Sequence, residues 1–164
     1  MNSSKKIVLV GNFGVGKSSL MRRFVQNTFS ENYTVTIGVH ILKKEIRIDE
    51  FNFTLIIWDI EGKDDIQKVR PSYLLGTSGF VFVIDPTRPQ TFERLNEELD
   101  FIKLNYPTAQ IVTVCNKSDL INIDEFKERL LKSNTSIDFF ASAKQGDEVE
   151  NIFYTVGMTK ENNV

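Results

Sequence analysis

The residues best suited to chemistry lie near the N-terminus, where Gly11-Asn12-Phe13-Gly14-Val15-Gly16-Lys17-Ser18 follows the spacing G-x-x-x-x-G-K-S. The apolar run 7–10 precedes them and the run 19–25 follows, which predicts a loop between a strand and a helix. Backbone N–H groups in such a loop, together with the helix N-terminus, bind phosphate oxygens. Lys17 is expected to reach the outer phosphates and Ser18 to ligate Mg²⁺. A glycine-rich turn that binds nothing is the alternative.

A second group of polar residues follows the apolar run 51–57. Asp59 and Gly62 give the spacing D-x-x-G, in which the carboxylate holds Mg²⁺ through water and the glycine N–H approaches a terminal phosphate. A plain carboxylate at a strand end is the alternative for Asp59. Thr36, in the polar loop 27–36, is expected to give Mg²⁺ a second hydroxyl when a third phosphate draws the loop inwards, which makes the loop sensitive to the nucleotide.

The motif Asn116-Lys117-Ser118-Asp119 follows the apolar run 111–114 and indicates which base is bound. The Asp119 carboxylate accepts two hydrogen bonds from the ring N–H and the amine of guanine, whereas adenine has no such pair of donors. An adenine-nucleotide kinase or ATPase is therefore disfavoured. Ser142-Ala143-Lys144 follows the run 137–140 and is expected to close over the base with a backbone N–H to its carbonyl oxygen.

Strands and helices that alternate along the chain must position these residues. Continuous apolar strands between amphipathic helices predict an α/β fold with a mostly parallel six-stranded sheet and helices on both faces. Ligands of such a sheet bind at the carboxyl ends of its strands. The runs 39–48 and 51–57 predict a hairpin that adds one antiparallel edge strand, and segment 63–71 is predicted to be mobile or loosely helical. Further strands are predicted at 7–10, 79–84, 111–114 and 137–140, and helices at 90–105 (Phe92, Leu95, Leu99 and Ile102 on one face), 123–131 (Phe126, Leu130 and Leu131 inward) and 149–158.

Composition limits the class of protein. The 164 residues, 41% of them hydrophobic, predict one domain over 1–164. A net charge of −2 argues against nucleic-acid binding, and Arg22-Arg23 and Lys43-Lys44 are predicted to be solvated. Cys115 is expected to be a buried hydrophobe in a reducing compartment. Because we find no transmembrane segment, signal peptide or C-terminal cysteine for prenylation, we expect a cytoplasmic protein, and a monomer.

The order of these motifs resembles that of the Ras-like small GTPases, most closely the Rab branch. The resemblance covers nearly the whole chain and implies a P-loop G domain that binds GTP or GDP with Mg²⁺ and hydrolyses GTP. It also implies that effector and regulatory proteins bind through two switches, residues 29–39 and 60–75. The matching segments are Lys5 to Ser18, Asn27 to Tyr33, Thr36 to Val39, Trp58-Asp59, Asn116 to Asp119 and Ser142 to Lys144.

The resemblance also implies individual roles. Phe29 packs edge-on against guanine, Tyr33 covers the phosphates, and Ser18 and Thr36 bind Mg²⁺, with Asp59 acting through water. The residues expected to bind GTP are Phe13, Gly14, Val15, Gly16, Lys17, Ser18, Ser19, Phe29, Tyr33, Thr36, Gly62, Asn116, Lys117, Asp119, Ser142, Ala143 and Lys144, and those expected to serve catalysis are Lys17, Thr36, Gly62 and Lys63.

Two positions depart from the family pattern. The usual D-T-A-G-Q reads Asp59-Ile60-Glu61-Gly62-Lys63 here, and a lysine has no acceptor with which to position an attacking water. Phe13 stands where the family has a small residue, and its bulk is expected to obstruct an arginine finger from a partner. We therefore expect slow GTP hydrolysis that ordinary activating proteins do not rescue. The alternative is that Glu61 or an outside group replaces the glutamine; Glu61 either faces away or pairs with Lys63.

Two classes of function stay open at this stage. One is a switch that cycles between GTP and GDP, and the other is a scaffold that holds GTP almost permanently. The nucleotide that copurifies separates them, because persistent GTP favours the scaffold. His40 is predicted to be an exposed strand residue, and Trp58 is predicted to pack beside the second switch.

Overall fold

The computed structural model describes residues 2–32 and 35–158, and within these ranges six strands form one sheet. The strands are β1 (Asn2–Val10), β2 (Val39–Ile48), β3 (Phe51–Ile60), β4 (Gly79–Ile84), β5 (Gln110–Cys115) and β6 (Phe139–Phe140). The helices are α1 (Lys17–Gln26), α2 (Pro71–Leu74), α3 (Leu95–Asn105), α4 (Ile123–Lys132) and α5 (Val149–Gly157), with 3₁₀ turns at Ile66–Lys68, Pro89–Thr91 and Ser118–Leu120.

The strand order is β2-β3-β1-β4-β5-β6. Strand β1 lies at the centre, parallel to both β3 and β4, and β5 and β6 continue the parallel part. Strand β2 pairs with β3 in the antiparallel sense, so that Val39 lies opposite Ile60 and Ile48 opposite Phe51. The predicted fold class, a mostly parallel sheet with one antiparallel edge strand, is confirmed.

Helices cover both faces of the sheet, because successive strand residues point to opposite sides and each side carries an apolar core. Ile7 and Leu9 of β1 belong to the core covered by α1 and α5, and the residues that alternate with them belong to the core covered by α2, α3 and α4. Across the first core, the rings of Phe24 in α1 and Phe153 in α5 stack with their centroids 4.4 Å apart.

Helix α3 begins at Leu95, so the prediction that it starts at residue 90 was wrong. Pro89 and Thr91 instead form a 3₁₀ turn. The Thr91 hydroxyl accepts a hydrogen bond from the Asp85 N–H at 3.0 Å and lies 2.8 Å from the Arg88 carbonyl, and these bonds hold the chain in a turn. Of the four residues predicted on the inner face, Leu95 and Ile102 are buried and Phe92 and Leu99 are half-buried.

The C-terminal elements also differ in detail from the prediction. In α4 Phe126 and Leu130 are buried, but Leu131 is 74% exposed, because one residue turns the helix by about 100° and moves the side chain off the inner face. Strand β6 contains only Phe139 and Phe140. Just before it, the Asp138 carboxylate accepts hydrogen bonds from the Thr113 N–H and hydroxyl, while the Asp138 N–H donates to the Thr113 carbonyl at 3.1 Å.

Segment 63–71 contains a 3₁₀ turn that is tied to α3. The Ile66 N–H donates to the Glu98 carboxylate at 2.8 Å. Arg94, the N-cap residue of α3, pairs with Asp65 at 3.0 Å, and the Asp65 carboxylate caps the turn by accepting from the Gln67 N–H. The predicted loose helicity therefore corresponds to one short turn whose position depends on α3.

Glu98 makes the fold sensitive to pH. It is 6% exposed, and burial raises its pKa to about 7 from 4.5, against the lowering effect of the Ile66 N–H. Between these values the folded chain binds more protons than the unfolded chain, so stability falls as pH rises. Glu98→Gln removes the charge and keeps an acceptor for Ile66. We expect it to increase the free energy of unfolding by about 2 kcal/mol more at pH 8 than at pH 5.

Urea unfolding at both pH values measures this effect, with the exposed neighbour Glu97→Gln as the control. A stabilisation of equal size at pH 5 and pH 8 would contradict the prediction, because only a titrating group makes the difference depend on pH.

Candidate functional site

The phosphate-binding motif forms a loop between β1 and α1, as predicted. Gly16 lies at the N-cap of α1 with φ 99°, and a Cβ there would overlap the Asn116 amide nitrogen. Because Gly16 has no side chain to accept the first N–H groups of α1, these donors stay available to an anion. Gly62 approaches the same loop so closely that a Cβ on it would lie 2.5 Å from the Phe13 nitrogen.

Lys17 is a buried cation inside this loop. Its Nζ donates to the carbonyl oxygens of Gly11 at 3.1 Å and Asn12 at 3.0 Å. Burial lowers its pKa to about 8, although the Asp59 carboxylate acts in the opposite sense. The loop thus holds positive charge where water hydrates it poorly, which favours the approach of an anion.

Three oxygen-bearing side chains meet beside the loop. Ser18 Oγ donates to Asp59 Oδ2 and lies 2.8 Å from Thr36 Oγ1, which also donates to Asp59 Oδ2 at 3.2 Å. Asp59 is fully buried, and its Oδ1 is without a hydrogen-bond partner among the residues described. Burial raises the pKa of Asp59, and the Ser18 hydroxyl opposes that rise. A buried carboxylate oxygen without a partner, next to two hydroxyls, is a donor set that fits Mg²⁺.

The Asn116-Lys117 pair ties the phosphate loop to the other end of the site. The Asn116 amide donates to the Val15 carbonyl at 3.0 Å and accepts from the Ala143 N–H at 3.1 Å. Lys117 Nζ donates to the Gly14 carbonyl at 2.9 Å and pairs with the buried Asp85 carboxylate at 2.8 Å.

Asp119 is exposed, and a buried side chain fixes the orientation of its carboxylate. Its Oδ1 accepts a hydrogen bond from the Ser142 hydroxyl at 2.9 Å, and the same hydroxyl accepts from the Gln145 N–H. Ser142 is fully buried, so it positions Asp119 and does not itself face the pocket. On the rim, Lys144 and Glu31 form an ion pair at 2.9 Å.

One pocket of about 310 Å³ brings most of the predicted residues together. Two residues that were predicted to bind GTP, Val15 and Ser142, do not line the pocket. The Val15 carbonyl accepts from Asn116 and the Ser142 hydroxyl donates to Asp119, so both support lining residues. Tyr33 lies outside the described residues. The predicted residues that line the pocket are Phe13, Gly14, Gly16, Lys17, Ser18, Ser19, Phe29, Thr36, Asp59, Gly62, Asn116, Lys117, Asp119, Ala143 and Lys144, joined by Arg22, Ser30, Glu31, Asn32 and Leu120.

The prediction that Arg22-Arg23 and Lys43-Lys44 are solvated was wrong for Arg23 and Lys44, whose side chains donate to backbone carbonyls. Arg22 is half-buried and lines the pocket. Arg23 donates from Nε to the Ala143 carbonyl at 2.7 Å, which fixes the loop at residue 143. Lys44 donates to the Phe24 carbonyl at 2.6 Å. The sequence did not predict these contacts, because a lysine or arginine is ordinarily expected at the surface. Only the folded structure shows which backbone carbonyls lie close enough to accept from these side chains.

Asp85 supports the pocket from behind, and the sequence analysis did not identify it. It directly follows β4, whereas Asp59 lies near the end of β3, and it is fully buried. Its hydrogen bonds and its ion pair with Lys117 lower its pKa, although burial, the largest single contribution, raises it. A carboxylate that directly follows an apolar strand was the available signal, and the same signal had identified Asp59.

The residues that depart from the family pattern lie in or beside the glycine-rich loop before α1. Lys63 pairs with Glu61 at 3.7 Å, which is one of the two arrangements considered for Glu61. Within the described chain, Lys63 is not part of the pocket wall. Phe13 does line the pocket, and 48% of it is exposed.

Three further predictions about single residues are confirmed. His40 is exposed on β2. Trp58 packs against the Tyr73 ring, with centroids 6.4 Å apart. Cys115 is buried, and burial raises the pKa of its thiol to about 12, so it is unreactive near neutral pH.

The motifs and their geometry agree with a comparison of the whole sequence. A model of the Ras family matches residues 6–161. The chain belongs to the Ras family. Two relatives are the Ras-related proteins Rab-1 of Theileria annulata and Theileria parva, each 33% identical over 170 aligned positions, which cover 97% of this chain and 75% of the relative. The predicted resemblance to Ras-like proteins of the Rab branch is confirmed.

Membership places the chain among the small GTPases, which are nucleotide-binding switches that hydrolyse GTP and act through effectors and regulators. Across residues 2–32 and 35–158, no helix combines the length and the apolar character needed to cross a bilayer.

The low pKa of Lys17 predicts a pH-dependent affinity for nucleotide. If the loop binds phosphate as the sequence predicts, phosphate oxygens next to Lys17 favour the charged form of its ammonium group, and binding takes up a proton when the free protein has lost one. With a pKa of about 8, we expect the affinity for GDP to fall about fourfold between pH 7.0 and pH 8.5. Calorimetry in two buffers with different ionisation enthalpies measures both the affinity and the proton uptake. A constant affinity without proton uptake would contradict the assignment.

Proposed function

We propose that this chain binds GTP and GDP with Mg²⁺ and hydrolyses GTP slowly. The observation that carries the proposal is the cluster of Ser18, Thr36 and Asp59, in which a fully buried carboxylate oxygen has no partner in the described chain. Leaving such a group unsatisfied costs about 1–3 kcal/mol, more when it is charged, and a metal ion or its water shell removes that cost.

Thr36 makes this cluster dependent on the nucleotide. It comes from the loop before β2, whereas Ser18 begins α1 and Asp59 lies near the end of β3. When bound, Mg²⁺ supplies positive charge that links phosphate oxygens to these side chains. Thr36 contacts Ser18 and Asp59 while its loop lies against the site. A change in the bound nucleotide would therefore change the position of this loop.

Guanine selection rests on Asp119. The Ser142 hydroxyl donates a hydrogen bond to Oδ1 of Asp119, and Asp119 itself lines the pocket. Guanine offers two N–H donors to a carboxylate, and adenine would leave that charge unpaired. Arg23 supports the facing wall through the Ala143 carbonyl, so the base site is formed by three separate segments of the chain.

The arrangement of Lys63 supports slow hydrolysis. Its ammonium group interacts with the Glu61 carboxylate at 3.7 Å, and an ammonium has donors but no acceptor for a water proton. Its backbone N–H donates to the Gly11 carbonyl at 3.3 Å, which holds this part of the second switch against the loop. Phe13 narrows the approach of an outside arginine. A scaffold that keeps GTP almost permanently is the second candidate, and the same two residues favour it.

The surfaces proposed for effectors and regulators are residues 29–39 and 60–75. The described residues of these ranges include exposed large apolar side chains: Val35 (48%), Ile37 (85%) and Leu75 (68%). A cytoplasmic location, a monomeric state and a single domain over 1–164 stay predictions.

The nucleotide assignment is tested by titrating the protein with GTP and ATP in Mg²⁺ and again in EDTA. We expect GTP to bind at least about 10²-fold more tightly than ATP, and EDTA to weaken GTP binding. Asp119→Ala should abolish the preference, whereas Asp100→Ala, an exposed carboxylate on α3, should leave it unchanged. Equal affinity of the unaltered protein for GTP and ATP would refute the proposal.

Slow hydrolysis is tested by single-turnover measurements on the protein loaded with GTP. We expect a rate below the order of 10⁻⁴ s⁻¹ typical of intrinsic hydrolysis in Ras, and an increase of about tenfold or more in Lys63→Gln, because an amide can both donate to and accept from water. Lys68→Gln is the matched control, since it removes the same charge from the exposed ion pair with Asp64. A lower or unchanged rate in Lys63→Gln would show that Lys63 is not the cause.

A further inference from the structure

Three successive carbonyl groups of the phosphate loop each accept a hydrogen bond from a nitrogen-bearing side chain. Arg88 Nη1 donates to the Phe13 carbonyl at 2.7 Å, Lys117 Nζ to the Gly14 carbonyl at 2.9 Å, and the Asn116 amide to the Val15 carbonyl at 3.0 Å. Asn116 and Lys117 belong to a motif that the sequence already identifies, whereas Arg88 belongs to none.

A peptide unit is planar, and in the trans form its C=O and the following N–H point in opposite directions. A side chain that fixes a carbonyl therefore also fixes the direction of the next N–H. By this rule Arg88 fixes the direction of the Gly14 N–H. In the same way Lys117 fixes that of the Val15 N–H, and Asn116 that of the Gly16 N–H. These N–H groups are the donors that a loop of this kind offers to phosphate oxygens.

Arg88 is held in place by its own turn. Its N–H donates to the Asp85 carbonyl at 3.1 Å, and its carbonyl accepts from the Thr91 N–H at 2.9 Å. The Asp85 carboxylate also pairs with Lys117, so this one residue supports two of the three groups that fix the loop, Arg88 through its backbone carbonyl and Lys117 through its carboxylate. The fixed turn after β4 gives Arg88 a defined position relative to Phe13.

The contact also lies where the second switch meets the loop. Gly62 packs against the Phe13 nitrogen, and Arg88 holds the Phe13 carbonyl, so Phe13 is restrained on both sides. Arg88 carries its charge close enough to Lys17 to lower the pKa of that ammonium. Arg88 is not itself among the described residues that line the pocket.

We propose that Arg88 is a positioning residue for nucleotide binding, which acts through the Phe13 carbonyl to aim the Gly14 N–H at the phosphates. The inference rests on the proposed function, because it assigns a role to a residue behind the same pocket. A hydrogen bond from a charged donor is stronger than one between neutral groups, so its loss should speed nucleotide release by about tenfold or more.

The test measures the release of a fluorescent GDP from the full chain, with excess unlabelled GDP, at 50 mM and 500 mM NaCl. Arg88→Ala should release GDP about tenfold faster at both salt concentrations, and Arg88→Lys, which keeps a charged donor, should restore most of the loss. Arg47→Ala is the matched control, because Arg47 is an exposed arginine that donates to the Asp49 carbonyl at the opposite end of the sheet. Thermal unfolding without nucleotide checks that each variant folds.

Three results would overturn the inference. Arg88→Ala releases GDP no faster than Arg47→Ala, or Arg88→Lys is as fast as Arg88→Ala, or the effect disappears at 500 mM NaCl. The last result would mean that Arg88 acts only as a screened charge and positions nothing. If the unaltered protein fails to bind GDP at all, the proposed function has failed, and that outcome is visible before any variant is compared.

Discussion

The site depends on charge that the fold keeps away from water. Lys17 and Asp59 are both buried at the carboxyl edge of the sheet, and the bonds that each makes within the chain satisfy it only in part. Desolvation drives the pKa of the lysine down and that of the aspartate up. In the proposed function, a ligand that brings phosphate and a divalent cation would supply charge to both groups and so offset the cost of burying them.

The rest of the structure serves to bring five distant segments to that edge. The parallel order of β3, β1, β4 and β5 places their carboxyl ends side by side. Residues that follow β3, β1 and β5 line one pocket, and Asp85 and Arg88, which follow β4, support it from behind. Asp85 shows how the segments are joined, since it follows β4, pairs with Lys117 after β5 and anchors the turn that presents Arg88 to the loop before α1. The site is thus a network that spans the sheet.

The sequence predicted the elements whose signal is local and missed contacts that depend on distant partners. The apolar runs predicted the strands, and the glycine spacing predicted the phosphate loop, because both follow from residues that are near neighbours. Helix α3 was predicted five residues too long, since the Thr91 hydroxyl that ends the preceding turn bonds to Asp85. Arg23 was read as solvated because its partner, the Ala143 carbonyl, lies 120 positions away in the chain.

Helix α1 packs against elements that lie much later in the sequence. The Phe24 ring stacks on Phe153 of α5, and the Arg23 side chain donates to the Ala143 carbonyl. On a ribosome, which releases the polypeptide from its N-terminus, the first helix emerges long before the aromatic ring and the carbonyl that it needs. The nascent protein must therefore leave α1 incompletely packed until α5 has been synthesised. A translation stop shortly before α5 would yield a chain that retains the whole phosphate loop and still lacks a folded pocket.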